Sequence, residues 1–291
     1  MSSPAQRREA VQELQARGLS QRRSCWWVGL SRSSATYQAR PHRPAQDQEL
    51  EQRLRALAQR YPRYGYRRMW AMLWREGQGQ NQGQGQRVNV KRVHRIWQQA
   101  GLCLPMRRPR PRRRVPQENK ANWPERATHP NHVWTYDFIH DACANGALLK
   151  MLTVTDEFTR ESLTIEVGSS LPARAVIAVL ARLFAHRGAP EFLRSDNGPE
   201  FIAHQIQAWL QEQGVSTLYI EPGSPWQNAY GESFNGRLRD ECLNVEWFRN
   251  RREAQAVVEA WRVHYNQERP HSSLAYLTPQ EFRLAYENSK S

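Results

Sequence analysis

The chain has 291 residues, 39% of them hydrophobic, enough to bury one full-sized core and one or two small modules. Its net charge of +14 is uneven: residues 1–114 hold 25 Lys+Arg against 6 Asp+Glu, a net of +19, while 115–291 hold 17 against 22, a net of −5. Such a basic half requires a polyanion, nucleic acid first, because neutralised phosphates release counterions. Cys25, Cys103, Cys143 and Cys242 stand apart with no metal-ligand spacing, which argues against a zinc module and a disulfide framework. No apolar run approaches the roughly 20 residues of a membrane span, and the N-terminus lacks the apolar core of a signal peptide, so a reducing cytoplasm is the expected location.

From Pro4 the apolar residues Ala5, Val11 and Leu14 recur at helical spacing. In "RGLSQRRSCWWVGLSRSSATYQAR", Ser20 and Ser31 are N-cap residues on either side of a turn at Gly29. Helix, tight turn and a capped helix carrying Arg32 is the layout of a helix-turn-helix over 1–45, although an ordinary helical hairpin has the same signals. A second helical module is expected over 46–105. Its apolar faces are Met69, Met72 and Leu73, then Val90, Val93, Ile96 and Trp97, and Lys91 and Arg92 stand at its last helix. The stretch "GQGQNQGQGQ" between these helices is a polar low-complexity loop. In "MRRPRPRRRVPQ", proline forbids helix and six arginines repel one another, so 106–122 reads as a basic tether in which Arg112 and Arg113 track phosphates.

After Trp123 the period changes. "HVWTYDFIHD", "NGALLKMLTVTDEF" and "SLTIEVG" are three strands, the second entered through an Asn-Gly turn. "PARAVIAVLARLFAHRG" is an apolar helix ending at Gly188, "PEFLRSD" a short strand, about 199–213 a helix, and "VSTLYI" a strand. Two helices follow, "NAYGESFNGRLRDECLN" and "NRREAQAVVEAWRVHYNQ". Three strands, helix, strand, helix, strand, helix describes an α/β fold, a mixed sheet with helices packed on it, in the order of the ribonuclease H-like fold. The core is expected over 123–245 and a helical extension over 246–291.

That order sets Asp137 on the first strand, Asp196 just past the fourth, and Glu232 on the helix after the fifth. Converging carboxylates repel unless divalent cations sit between them, and oxygen-only ligands suit Mg²⁺ or Mn²⁺. Two such ions about 3.5 to 4 Å apart serve phosphodiester chemistry. The spacing alone is weak, since a carboxylate falls at any chosen position about one time in ten by composition.

The motifs "VWTYDF", "VTDEFTRE", "LRSDNGPEF", "PGSPWQNAYGESFNGRLRDECLN" and "WRVHYNQERPHSSLAYLTPQEF" carry more. In this order they resemble the OrfB transposase of the insertion-sequence-three family, a branch of the retroviral-integrase-like DDE enzymes. The resemblance implies a catalytic and metal-holding triad of Asp137, Asp196 and Glu232, with two Mg²⁺ or Mn²⁺ ions expected. It places the family's basic residue on Arg239, seven positions and two helical turns after Glu232, as a DNA-phosphate clamp. It implies terminal inverted repeats and target DNA as substrates, an OrfA partner or OrfAB fusion, and a homo-multimer on DNA. Asn197, Trp226 and Tyr230 are expected to shape the site. Where the family implies a larger apolar residue, Gly231 precedes the glutamate, and a glycine there predicts a loose helix. Asp141, Asp156 and Glu157 are weaker acidic candidates, Asp156 as a turn former, and Trp134, Phe138, Trp209 and Trp261 are expected in the core. A nuclease without strand joining and a DNA binder with an inert core are the alternatives.

Overall fold

A computed structural model describes residues 4–37, 44–80, 88–105, 126–195, 204–219 and 228–290. The chain divides into two compact units, 1–50 and 51–291. In the first, α1 (Pro4–Ala16) buries Val11, and α2 (Gln21–Val28) is capped by Ser20, which accepts from the Arg23 amide. Gly29 closes α2 at φ 63°, a conformation that favours glycine. The helix after the turn, α3 (Arg32–Ala35), is a single turn. Serines follow its cap, and Thr36 turns its hydroxyl back on the Arg32 and Ser33 carbonyls, competing with further helix. Arg32 opens α3 and is exposed.

Helix α4 (Pro44–Arg60) spans the boundary at residue 50, and in the second unit α5 (Tyr66–Gln80) and α6 (Val90–Gln99) precede the sheet. Helix α5 runs four residues into the glutamine-glycine stretch that was expected to be loop. Its Met69 and Leu73 are buried, as are Val93, Ile96 and Trp97 of α6, whereas Val90 on the first turn of α6 is exposed. The 106–122 segment, with Arg112 and Arg113, lies outside the described residues.

The sheet comprises β1 (Val133–Ala142), β2 (Leu148–Asp156), β3 (Ser162–Gly168), β4 (Phe192–Ser195) and β5 (Ser216–Tyr219), in the order β3-β2-β1-β4-β5. The first three are antiparallel; β4 runs parallel to β1 and β5 to β4. This mixed five-stranded sheet is the ribonuclease H-like arrangement expected from the order of elements. Strand alternation sends Trp134, Tyr136 and Phe138 to one face, where they join α7 (Ala173–Arg187) and α8 (His204–Glu212). The opposite face carries Ile139, Leu149, Met151 and Ile165, which pack on α9 (Ala229–Leu238) and α10 (Arg251–Gln267). Trp134 and Trp261 are buried, and Phe138 and Trp209 pack at the edge of the core. A π-helical turn, Arg239–Leu243, extends α9, and α11 (Pro279–Asn288) ends the chain behind a capping box of Thr278 and Glu281.

The second helical module is docked on the core by charge. Arg63 pairs with Asp240, Arg75 with Glu281 at 2.5 Å, and Arg68 with Glu241 at 2.8 Å. Glu241 also receives Arg269 in a bidentate pair, at 2.7 and 2.6 Å. Burial opposes charge on Arg269, but the hydrogen bonds and charge of Glu241 outweigh it and hold the guanidinium protonated. No helix among the described residues is long and apolar enough to cross a membrane.

Candidate active site

Asp137 sits in the middle of β1, the central strand. Two residues from Thr135 and two from Ile139, it shares their face of the sheet, toward α9. Its carboxylate is held at both oxygens: Oδ1 accepts from the Phe138 amide at 2.7 Å, and Oδ2 from Asn235 Nδ2 at 2.7 Å. Thr153, directly across from Asp137 on β2, donates toward Asn235 Oδ1 at 3.1 Å and the Asp137 carbonyl at 3.2 Å.

Helix α9 runs along β1 in register with it. A Cβ on Gly231 would stand 2.8 Å from Thr135 Cγ2 and 2.6 Å from Asn228 Oδ1, so the backbone of the helix touches the strand at this point. Four residues on, Asn235 meets Asp137. Four helical residues rise about 6 Å and two strand residues about 6.6 Å, which is why both contacts are made at once. Glu232, exposed at the surface, lies between them along the helix. Helix α9 runs through Gly231 without a break, and the glycine allows this close approach.

Strand β4 ends at Ser195, with Arg194 beside Thr135 of β1. Asp196 is the next residue in sequence; with Asn197 and Trp226 it lies outside the described residues. Arg239 begins the π turn and donates to the His140 carbonyl at 3.2 Å, three residues beyond Asp137 on β1. The Arg160 guanidinium lies over the Tyr230 ring, 3.8 Å from its centre. Lys91 is exposed and Arg92 half-buried on the first turn of α6.

The other carboxylates have structural partners. Asp156 accepts the amides of Asn131, Phe158 and Thr159, each at 2.8 Å, as expected of a turn former, and burial pushes its carboxyl up despite them. Burial also pushes up the carboxyl of Glu157, which faces Arg194 at 3.4 Å and the Thr135 hydroxyl. Asp141 accepts the amide of Ala142 at 2.8 Å. Sequence reasoning missed Asn235 and Arg160. For Asn235 a signal existed: it follows Glu232 by three on one helix, the spacing that shares a face.

Integrase core domain families match residues 127–225 and 213–279, and the HTH-like domain family matches 45–110. The 31.7 kDa protein of insertion element IS407 of Burkholderia multivorans is 42% identical over 264 residues, covering 91% of this chain and 90% of that protein. The 39.2 kDa protein of insertion element IS476 of Xanthomonas euvesicatoria is 40% identical over 290 residues, covering 99% and 80%. Transposase InsD of insertion element IS2 of Escherichia coli is 27% identical over 264 residues, covering 88% and 85%. With a ribonuclease H-like sheet, an integrase core and these relatives along almost its whole length, the chain belongs to the insertion-sequence-three OrfB transposases, DDE-type polynucleotidyl transferases that act on DNA.

Proposed function

We propose that Asp137, Asp196 and Glu232 form the catalytic triad of this transposase and act at the terminal inverted repeats of its own element. The observation that supports this reading is the seating of α9 on β1, which fixes the Asp137 carboxylate through Asn235, the residue three places after Glu232 on the same helix. The donor set fits hard divalent cations: every ligand is a carboxylate oxygen, and the Asn235 amide orients Asp137. When bound, Mg²⁺ or Mn²⁺, as one ion or two, supplies Lewis-acid activation and stabilises charge on the departing oxygen.

In the first reaction a water oxygen forms a bond to phosphorus at the element end. The bond to the 3′ oxygen breaks, and that oxygen leaves as a free hydroxyl. In the second, this hydroxyl attacks a target phosphodiester in line. One P–O bond forms as one breaks, with no covalent link to the protein. Arg239, anchored at the His140 carbonyl, positions a DNA phosphate at the far end of α9. Arg32, Lys91, Arg92, Arg112 and Arg113 hold DNA outside the core, and an OrfA protein or fusion with further copies of the chain completes the assembly in the cytoplasm.

A duplex carrying the element's terminal repeat, incubated with purified protein and Mg²⁺ or Mn²⁺, is expected to be nicked at the 3′ end and joined to a target. Asp196→Asn and Asp137→Asn should bind the duplex normally and cut it no faster than buffer does. Retained cleavage by either variant sinks the triad.

A further inference from the structure

Two stripes of side chains run along α9. Glu232, Asn235 and Arg239 form one, at spacings of three and four residues, and Tyr230, Ser233 and Arg237 form the next. The second stripe, with the turn after β2, lines a cavity of about 200 Å³ that Arg160 and His271 also enter. Nothing in the catalytic reading uses this cavity.

Arg160 is built into its wall. It adopts φ 65°, a left-handed conformation uncommon for arginine, and its amide donates to the Asp156 carbonyl at 3.0 Å to close the turn. The guanidinium stacks on Tyr230, and its Nη1 is buried with no acceptor among the described residues. A buried donor without an acceptor is destabilising, so a ligand that brings an acceptor to Nη1 gains its hydrogen bond. The acids around it are committed elsewhere: Asp156 to three amides, Glu161 to Arg187 and Arg283, and Glu157 Oε1 to Arg194 and Thr135. Glu157 Oε2 accepts no hydrogen bond among the described residues, and Arg160 acts on this carboxylate through its charge alone. Arg237, across the cavity, has no carboxylate partner among the described residues. Ser233 and Ser273 supply hydroxyls at the rim. Burial and the charges of Arg269 and Arg237 push His271 down to about 2, so the histidine adds no cation.

We propose that this cavity binds a backbone phosphate of the DNA held at the active site, with Arg160 and Arg237 as its ligands and Tyr230 positioning Arg160. Two guanidiniums presenting fixed donors suit a phosphodiester, and their place one stripe over from Glu232 would set the angle at which the strand crosses α9. The proposal rests on the transposase reading of the neighbouring triad.

The test uses the full chain and the terminal-repeat duplex, with single neutral methylphosphonates scanned across the backbone near the cut. Arg160→Asn, which suits the positive φ, and Arg237→Gln should each keep the wild-type Tm within a few degrees. Each should weaken binding about tenfold and flatten the log–log salt slope by about 0.9, the share of one phosphate. One methylphosphonate position should weaken the wild type and cost neither variant anything further. Additive losses at every position, or an unchanged slope, would overturn the assignment. Failure of the wild type to nick, with that coupling intact, would count against the triad and leave the cavity standing; nicking without coupling would do the reverse.

Discussion

At the scale of single residues, Gly231 sets two effects against each other. Alanine there gains helix propensity, about 1 kcal/mol. Its Cβ would lie closer than van der Waals contact to a strand side chain and to a buried amide, and overpacking of this kind costs about 1–3 kcal/mol. The strand neighbour, Thr135, is itself tied to Glu157, so it yields poorly. Gly231→Ala is expected to lower Tm and to cut nicking at least tenfold by lifting Glu232 away from Asp137. A variant with raised Tm and full activity would show that propensity wins. Sequence could assign Asp137 to a strand and Glu232 to a helix, because alternation and the 3.6-residue period are local. It did not show the crowding at Gly231, where a Cβ would meet Asn228 three residues back and Thr135 on the strand, far away in the chain.

His271 is a second residue whose role is invisible locally. Its neutral ring packs edge-on against Tyr265, and burial with the charges of Arg269 and Arg237 pushes it down to about 2. An unfolded histidine titrates near 6.5. Between these values the unfolded chain binds a proton that the folded chain refuses, so stability is full above about pH 6.5 and falls as pH drops below it. One proton amounts to about 1.4 kcal/mol per pH unit. His264, held down by burial, adds in the same direction. Unfolding midpoints in denaturant at pH 7.5 and 5.5 should fall for the wild type, and His271→Gln should show a slope shallower by about one proton. Equal slopes would mean that the buried histidine is already charged.

At the scale of elements, the order of strands and helices was legible because each strand is short, alternating or wholly apolar, and bounded by turn residues. The docking of α4 to α6 on the core was not, because it is carried by pairs such as Arg68 with Glu241, 173 positions apart. The π turn that follows α9 is likewise unmarked, yet it carries both Asp240 and Glu241 to the arginines. Glu241 is 5% exposed at its side chain and sits between two guanidiniums, one of them 1% exposed. Removing one partner from a buried pair strands the other charges and costs about 3–5 kcal/mol. Glu241→Gln should therefore lose stability on that order in denaturant unfolding, whereas Glu13→Gln, half of an exposed pair on α1, should lose almost none. Similar small losses from both would mean that water reaches the Glu241 cluster.

At the scale of the molecule, the net of +19 in residues 1–114 is not all available to DNA. Arg63, Arg68 and Arg75 are neutralised by acids of the acidic half, so the imbalance read from sequence partly holds the protein together. The arginines and lysines that meet phosphate are those left over, and they can be sorted by salt dependence. Each phosphate contact contributes about 0.9 to the log–log slope of affinity against salt. Lys91→Gln, on an exposed position of α6, should flatten the slope by about that amount at unchanged Tm. Arg68→Gln should do the opposite, lowering Tm and leaving the slope of the folded protein as it was, because its charge already faces Glu241 at 2.8 Å. If Arg68→Gln flattens the slope while Lys91→Gln does not, the helical module presents its other face to DNA and its salt bridges to the core open on binding.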